Sequence, residues 1–368
     1  MRISYVIDSL ALSGAQKHLV QLVQGMRARG HEATVYCLND KVHPMRRAEL
    51  AAADARVRVI GKARVACGAA VVELAAAMRR ERTAVVVTVL FVSDVVGRLA
   101  GRLAGLPVVA CLQARNVNFP GWRKALLQLT AGFNSYTISN SRAAIAFAGQ
   151  HEGADPARCY YVPNAIQVPA ALPPPPDWKN CGWPQLVGRR VIGSVGRLVS
   201  QKGYDVLLAA LARLPATHRE VSLLLIGTGT PAGLVAEAKA MGLNGRVVFA
   251  GERADVPALL PGLTLYVQPS RFEGMPNALM EAMAARLPVV GTAVDGITEL
   301  IKDGVNGWLV PPGDAAALAT ALGRILDDPP GSEKMGIEAR RTAIEGFSLE
   351  RMAQAYEEIL GRACLRPS

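Results

Sequence analysis

Aromatic residues are scarce, at 5% of the chain, and that scarcity counts against a reader of nucleic acid, which stacks bases on aromatic rings. No zinc-finger spacing and no helix-turn-helix pattern accompanies the few that exist, so no nucleic-acid partner is expected. The six cysteines, Cys37, Cys67, Cys111, Cys159, Cys181 and Cys364, are scattered without a C-x-x-C pair or a His-Cys cluster. That pattern argues against a zinc site and suits a reducing compartment. Long apolar runs are missing too: the longest, residues 84–96, carries Asp94 and is too short to cross a bilayer. Residues 1–8 read directly as strand, with no cleavage-type segment behind them. A cytoplasmic protein is expected, with any membrane contact limited to the inner face of the cytoplasmic membrane. No low-complexity segment or short-period repeat interrupts the chain.

What is present is a folded composition, 51% apolar and 19% charged over 368 residues, enough chain for two domains with separate cores. Its net charge of +11 is unevenly placed. Residues 1–170 hold 21 Lys+Arg against 10 Asp+Glu, whereas residues 171–368 hold 20 of each. Basic surface of this kind attracts anionic membrane or phosphorylated ligands. Solvated arginines in an Arg-rich chain are the plainer alternative.

Strand and helix patterns alternate. Residues 3–7 read as a strand, 9–14 as a loop containing Ser13-Gly14, 15–29 as an amphipathic helix stopped by Gly30, and 34–38 as the next strand. Gly14 stands where a strand meets a helix, so its backbone can approach a phosphate closely, although a packing role serves equally well. A helix over 69–80 and strands over 84–90 and 107–112 continue the pattern of a parallel sheet with helices on both faces. After the last of these comes Gln113-Ala114-Arg115-Asn116, polar residues at a strand's carboxyl end, where ligands bind in such sheets. The helix over 122–133 is expected to face the core in preference to a membrane, because its apolar stripe is ordinary for a globular helix. Prolines 169, 173, 174, 175 and 176 then mark a stiff, extended boundary. The expected division is a domain over 1–170, a linker over 171–186, a second alternating domain over 187–346 and a C-terminal helix within 347–368 that packs back toward the first domain.

In the second half, an apolar run over 263–267 stops at Pro269-Ser270 and a helix starts near Pro276, which suits a first turn because its missing N–H costs nothing there. Glu273 precedes that helix and Glu281 lies in its second turn. A strand-to-helix corner with free N–H groups and two carboxylates at its mouth suits a polyhydroxylated, anionic ligand. From this segment alone, a solvated loop carboxylate and a surface helix carboxylate is an equally good reading.

With further pieces added, the second half resembles the retaining glycosyltransferases of family 4. These pieces are Gly196-Arg197-Leu198 with Lys202-Gly203, Gly227-Thr228-Gly229, the two glutamates around Gly274-Met275-Pro276-Asn277, Asp295-Gly296-Ile297-Thr298-Glu299 and residues 304–310, Gly-Val-Asn-Gly-Trp-Leu-Val. Ser13-Gly14-Ala15-Gln16 and Pro163-Asn164-Ala165-Ile166 extend the likeness into the first half.

The resemblance implies the α/β GT-B fold, two Rossmann-like doubly wound domains facing across a cleft, the first binding acceptor and the second nucleotide sugar. It implies transfer of a hexose or N-acetylhexosamine from a UDP-linked donor to a glycolipid or lipid-linked saccharide during cell-surface polysaccharide synthesis, and peripheral contact with anionic membrane. By the same likeness, Arg197 and Lys202 neutralise the donor diphosphate, Glu281 holds the ribose hydroxyls and Glu273 faces the transferred sugar. Backbone groups of Gly274, Met275, Pro276 and Asn277 would meet sugar hydroxyls, and Gly14 the phosphates. No metal and no cofactor is implied, and no D-x-D motif is present. The chain departs from the family at one point: Gln113, followed by Arg115, stands where many members have a histidine. Gln113 can still donate or accept a hydrogen bond and Arg115 can bind an anionic group. The competing readings are a sugar-nucleotide epimerase or hydrolase and a non-catalytic subunit of the same fold. None of the five histidines is expected to be catalytic, and His18 is expected to be structural or solvent-facing.

Overall fold

The structure, a computed structural model, describes residues 1–113, 116, 119–169 and 171–365. It divides into two compact units, the first running from Met1 to Ala165 and rejoined by the chain from Leu349, the second from Ile166 to Ser348.

In the first unit the elements are β1 (Arg2–Ile7), α1 (Gly14–Ala28), β2 (Glu32–Cys37), α2 (Pro44–Ala52), β3 (Arg56–Val59), α3 (Lys62–Ala66), α4 (Ala69–Arg80), β4 (Val85–Val89), α5 (Phe91–Ala104), β5 (Val108–Leu112), α6 (Gly121–Ala131), β6 (Tyr136–Ser139), α7 (Arg142–His151) and β7 (Cys159–Tyr161). The strands form a parallel sheet in the order β3-β2-β1-β4-β5-β6-β7. β4 (VVVTV) and β5 (VVACL) are buried along their whole length. Such uninterrupted apolar strands are what a sheet covered on both faces requires. The C-terminal helix, Leu349–Leu365, belongs to this unit. Its stripe of Met352, Ala353, Tyr356, Ile359, Leu360 and Ala363 recurs at helical spacing and packs with Leu19, Leu22, Val23 and Met26 of α1.

The second unit contains β8 (Val191–Val195), α8 (Tyr204–Arg213), β9 (Ser222–Ile226), α9 (Ala232–Ala240), β10 (Val247–Phe249), α10 (Val256–Leu259), β11 (Leu265–Gln268), α11 (Asn277–Ala284), β12 (Val289–Thr292), β13 (Trp308–Val310), α12 (Ala315–Asp327) and α13 (Pro329–Gly346); α14 is the returning C-terminal helix. Its sheet is again parallel, in the order β10-β9-β8-β11-β12-β13. Just after the proline-rich stretch Trp178 and Trp183 are buried, their rings 6.0 Å apart, with the Arg253 guanidinium 5.2 Å over the Trp183 ring.

One expectation is corrected in the first unit. α6 buries only Leu127 and Thr130, while Trp122, Leu129 and the following Phe133 are 58%, 77% and 37% exposed. The apolar residues divide: Leu127 is buried and Leu126 half-buried, while Trp122, Leu129 and Phe133 face outward; the inward side is held by the buried Arg98, whose Nη1 donates to Leu127 O and Thr130 Oγ1. No described helix is long and apolar enough to cross a membrane.

Candidate functional site

In each sheet the strand order reverses direction at one point, and in open parallel sheets ligands bind there, outside the carboxyl ends of the strands. The second unit reverses between β8 and β11, which are paired neighbours. The loops that follow these two strands carry most of the residues singled out from the sequence.

Those loops are stitched together. Arg271 N donates to Gln201 O at 2.8 Å, Gln201 Nε2 to Phe272 O at 3.0 Å, and the Arg271 guanidinium grips the Asp205 carboxylate with two bonds of 2.9 and 2.6 Å. That bidentate pair holds Asp205 below the usual carboxylate range. Gly203 has φ +66°, and a Cβ there would lie 2.1 Å from Pro269 O, so the β8 loop rests directly on the backbone of the β11 loop. On the other flank Gly296, φ +75°, lies so close to Gly274 O that a Cβ would fall 1.3 Å from it. Leu198 N donates to Thr228 O at 2.7 Å. Four of the motifs scattered over a hundred residues of sequence therefore meet as backbone.

Within this frame Lys202 Nζ lies 2.5 Å from Glu273 Oε1. Ser270 Oγ and Gln268 Nε2 donate to the same oxygen at 2.6 and 3.1 Å. Gln268 is itself fixed by Tyr266 OH, which donates to its Oε1 at 2.8 Å. Three donors saturate Oε1, while Oε2 has no partner among the described residues and is open to a ligand. Burial pushes the Tyr266 phenol far up, and its neighbours Tyr204, Glu281 and Glu273 act in the same direction. Both glutamates of the motif are thus placed around Tyr266, Glu281 half-buried on α11. α11 starts at Asn277 after Pro276, with no side-chain cap, so its first N–H groups are not taken by a capping side chain. Met275 and Pro276 are buried and fix the approach to it. Arg197 is exposed at the end of β8, and its guanidinium has no hydrogen-bond or ion-pair partner among the described residues. It is brought near the ensemble by the chain, not by a contact.

The first unit reverses between β1 and β4, and the two helices at its strand ends differ. α5 is capped: Asp8 accepts from Val92 N at 3.3 Å and from Ser93 N at 2.7 Å, and burial raises the Asp8 carboxyl above its ordinary value. The chain reaches that helix through Leu90 at φ +81° and ψ 167°, a region costing a side chain about 1–3 kcal/mol and concentrated at functional sites. α1 is not capped in this way. Its Ser13 makes no cap bond to the backbone; the hydroxyl is turned to Gln16 Oε1. The exposed Ser13-Gly14 corner therefore leaves the N-terminus of α1 available to an anion.

Gln113, at the end of β5, is half-buried and donates to Cys111 Sγ at 3.0 Å. Arg115 lies outside the described residues. Asn116 Nδ2 donates to Glu152 Oε1 at 2.8 Å. His18 is fully buried and pushed down to about 4 by that burial, partly offset by Asn164; it is structural. Among the described residues no group of three or more His, Cys, Asp or Glu is arranged to hold a metal ion.

Sequence reasoning missed Gln268, Ser270 and Asp8. Gln268 and Ser270 were visible as polar residues ending an apolar run, but only the fold turns both onto Glu273. Asp8 offered no signal, because its partners lie 84 and 85 residues away.

Residues 12–168 match the family described as Glycosyltransferase Family 4, and residues 189–328 the one described as Glycosyl transferases group 1. The lipopolysaccharide core biosynthesis mannosyltransferase LpcC of Rhizobium leguminosarum bv. viciae is 36% identical over 186 residues, 48% of this chain and 53% of that protein. The lipopolysaccharide core biosynthesis glycosyltransferase LpsE of Rhizobium meliloti is 34% identical over 171 residues, 46% and 49%. The chain spans about half the length of these curated relatives. Anabaena HepE, solved in complex with UDP-glucose, matches with a TM-score of 0.85 at 24% identity over 98% of this chain and 100% of that one, which shows a shared fold.

Proposed function

Because the chain belongs to glycosyltransferase family 4 and has the GT-B fold, we propose that it is a retaining glycosyltransferase. In this reading it moves a hexose or N-acetylhexosamine from a UDP-linked donor to a glycolipid or lipid-linked saccharide. The observation that carries the reading is the switch point of the second unit, where Lys202 is locked onto Glu273 beside an unpartnered Arg197. A diphosphate leaving group needs its developing charge neutralised; Lys202, held by Glu273, and the exposed Arg197 supply two cations for that. No metal or cofactor is then required.

The chemistry balances without a protein base. The acceptor oxygen bonds to the anomeric carbon, the bond from that carbon to the phosphate oxygen breaks, and the acceptor proton passes to the departing diphosphate on the same face. Glu273, with Oε1 saturated, offers Oε2 to the transferred sugar, and Glu281 holds the ribose. Gly274 to Asn277 offer backbone groups to sugar hydroxyls, and the open start of α1 at Gly14 offers N–H groups to an anionic group.

UDP as the nucleotide is supported by the UDP-glucose complex of the similarly folded HepE, and a saccharide acceptor in lipopolysaccharide core synthesis by the names of the two relatives. An anionic membrane surface as a peripheral partner is supported by the outward Trp122, Leu129 and Phe133 of the basic first unit.

Incubation with a panel of UDP- and GDP-sugars plus a crude lipid acceptor tests the reading. Nucleotide release from at least one donor is expected. Silence across the panel would overturn the enzyme in favour of a non-catalytic subunit. Release without any glycosylated product would point to hydrolysis.

A further inference from the structure

A cavity of about 290 Å³ opens in the first unit at the amino ends of β1, β2 and β3. The six residues of β1 span roughly 20 Å, so the cavity stands at the opposite edge of the sheet from Asp8 and Ser13. Its wall is a row of side chains on one sheet face. Ser4 of β1 is in register with Thr34 of β2, and Thr34 with Arg56 of β3; residues in register across parallel strands point to the same side. One step further along that face, Val6 and Tyr36 belong to the apolar core with Leu74 and Met78 of α4. A parallel sheet covered on both faces is ordinarily apolar throughout. The row Ser4, Thr34, Arg56 departs from that pattern, and it does so where the cavity lies.

The polar groups around the cavity satisfy one another with two exceptions. Ser4 Oγ and Thr83 Oγ1 lie 2.7 Å apart, and both residues are buried. Arg2 Nε pairs with Glu32 Oε1 at 3.2 Å, Arg27 with Asp54, and Arg58 Nη2 with Glu81 Oε1 at 2.7 Å. Every carboxylate that lines the cavity is therefore matched by a guanidinium. Arg56 is the first exception: it is exposed, lines the cavity and makes no hydrogen bond or ion pair among the described residues. Thr34 is the second. It is only 9% exposed, and its hydroxyl has no hydrogen-bond partner among the described residues. The cavity thus carries one surplus positive charge beside an uncommitted hydroxyl on the next strand. An edge strand keeps an arginine for solubility alone in many sheets, but that role needs no cavity and does not account for a nearly buried hydroxyl left unpaired.

We propose that this cavity is a second ligand site, for a small hydroxylated oxyanion whose phosphate or carboxylate is held by the Arg56 guanidinium and whose neighbouring oxygen bonds Thr34 Oγ1. The planar guanidinium fork matches either headgroup with two parallel N–H groups. The volume lies at the lower end of small-molecule sites, which suits a short polyol phosphate or polyol acid. None of the residues involved belongs to either switch point, so the site is independent of the transfer reading above.

Calorimetric titration of glycerol 3-phosphate, glycerate and, as a neutral control, glycerol into wild type, Arg56→Gln and Thr34→Val tests this, with and without excess UDP and with Tm recorded for each protein. At least one of the two anions is expected to bind the wild type, with an affinity that UDP leaves unchanged, and glycerol is expected not to bind. Which anion binds separates a phosphate ligand from a carboxylate. Arg56→Gln should keep the wild-type Tm, because the guanidinium has no protein partner to lose, and should weaken anion binding by about ten- to a hundredfold. Thr34→Val should weaken it by about three- to tenfold. No binding of either anion, equal binding of glycerol, or an Arg56→Gln protein that binds as wild type does would overturn the proposal. Wild-type affinity in Thr34→Val would put the anion on the exposed guanidinium outside the cavity and overturn it as well. Anion binding abolished by UDP would assign the anion to the nucleotide's own site, with the same consequence.

Discussion

Lys202 and Glu273, 71 residues apart in the chain, meet at 2.5 Å with their side chains only 15% and 8% exposed. Removing the lysine would leave a nearly buried carboxylate supported by Ser270 and Gln268 alone. Lys202→Met is expected to cost on the order of 2 kcal/mol of stability and to weaken UDP binding as well. Chemical denaturation together with a UDP titration checks both, and a variant as stable as wild type would show that the pair is not a support of the site.

Gly296→Ala tests the joint between two motifs. At φ +75° with Gly274 O in the way of any Cβ, an alanine must push the backbone before α11 aside. A loss of about 3 kcal/mol or more is expected, from left-handed strain plus a clash with backbone that cannot rotate away. Sugar-nucleotide affinity should fall even at temperatures where the variant is folded. A neutral effect on both Tm and affinity would contradict the packing described.

Asp94 predicts a pH dependence. Its carboxyl, buried beside Arg98 and Thr88, is held up at about 6. Between about pH 4 and about pH 6 the native state keeps a proton that the unfolded chain has released, so stability falls as pH rises through that window. Two pKa units correspond to about 3 kcal/mol. Asp94→Asn does not titrate, and its stability relative to wild type should therefore rise by up to about 3 kcal/mol from pH 4 to pH 7. His18 acts in the opposite direction over part of this range, but both proteins carry it and it cancels. Urea denaturation at the two pH values checks this; a constant difference would contradict it.

Much of the second unit was legible because its signals are local. A strand, a proline and a helix start announce the corner over 272–281; glycines with Arg197 and Lys202 mark the end of β8, and Gly227 and Gly229 the end of β9. Three kinds of feature were not legible. The residues 44–66 that form α2, β3 and α3 are short and weakly periodic, so no element stood out there. The outward face of α6 looked like a core stripe, because periodicity gives the width of an apolar face and not its direction. Long-range polar contacts, such as Gln268 on Glu273 or Tyr356 on Cys111, depend on topology that no window of sequence contains. Glu273 and Glu281, ambiguous in sequence, are separated by the structure into two environments: Glu273 with one oxygen saturated by three donors, and Glu281 half-buried on α11.

The outward stripe of α6 gives a further prediction. Leu129→Glu changes an exposed position and should alter stability by no more than about 0.5 kcal/mol, whereas Trp122→Glu also loses an edge contact with the Phe91 ring at 5.9 Å and should cost about 1 kcal/mol. Binding to vesicles containing anionic lipid should drop sharply in both, and wild-type binding should weaken as salt rises. Co-sedimentation at low and high salt checks it, and variants that bind as wild type would remove the membrane from the account.

In the proposed reading, the second unit binds a nucleotide diphosphate through Arg197 and Lys202. Titration of UDP into wild type and Arg197→Ala by calorimetry tests it most directly. Arg197 is exposed and its side chain makes no hydrogen bond or ion pair among the described residues, so the variant should keep the wild-type Tm. Its UDP affinity should fall by roughly ten- to a hundredfold, the loss of a charge-assisted contact to phosphate. An Arg197→Ala protein that binds UDP as wild type does would contradict the account.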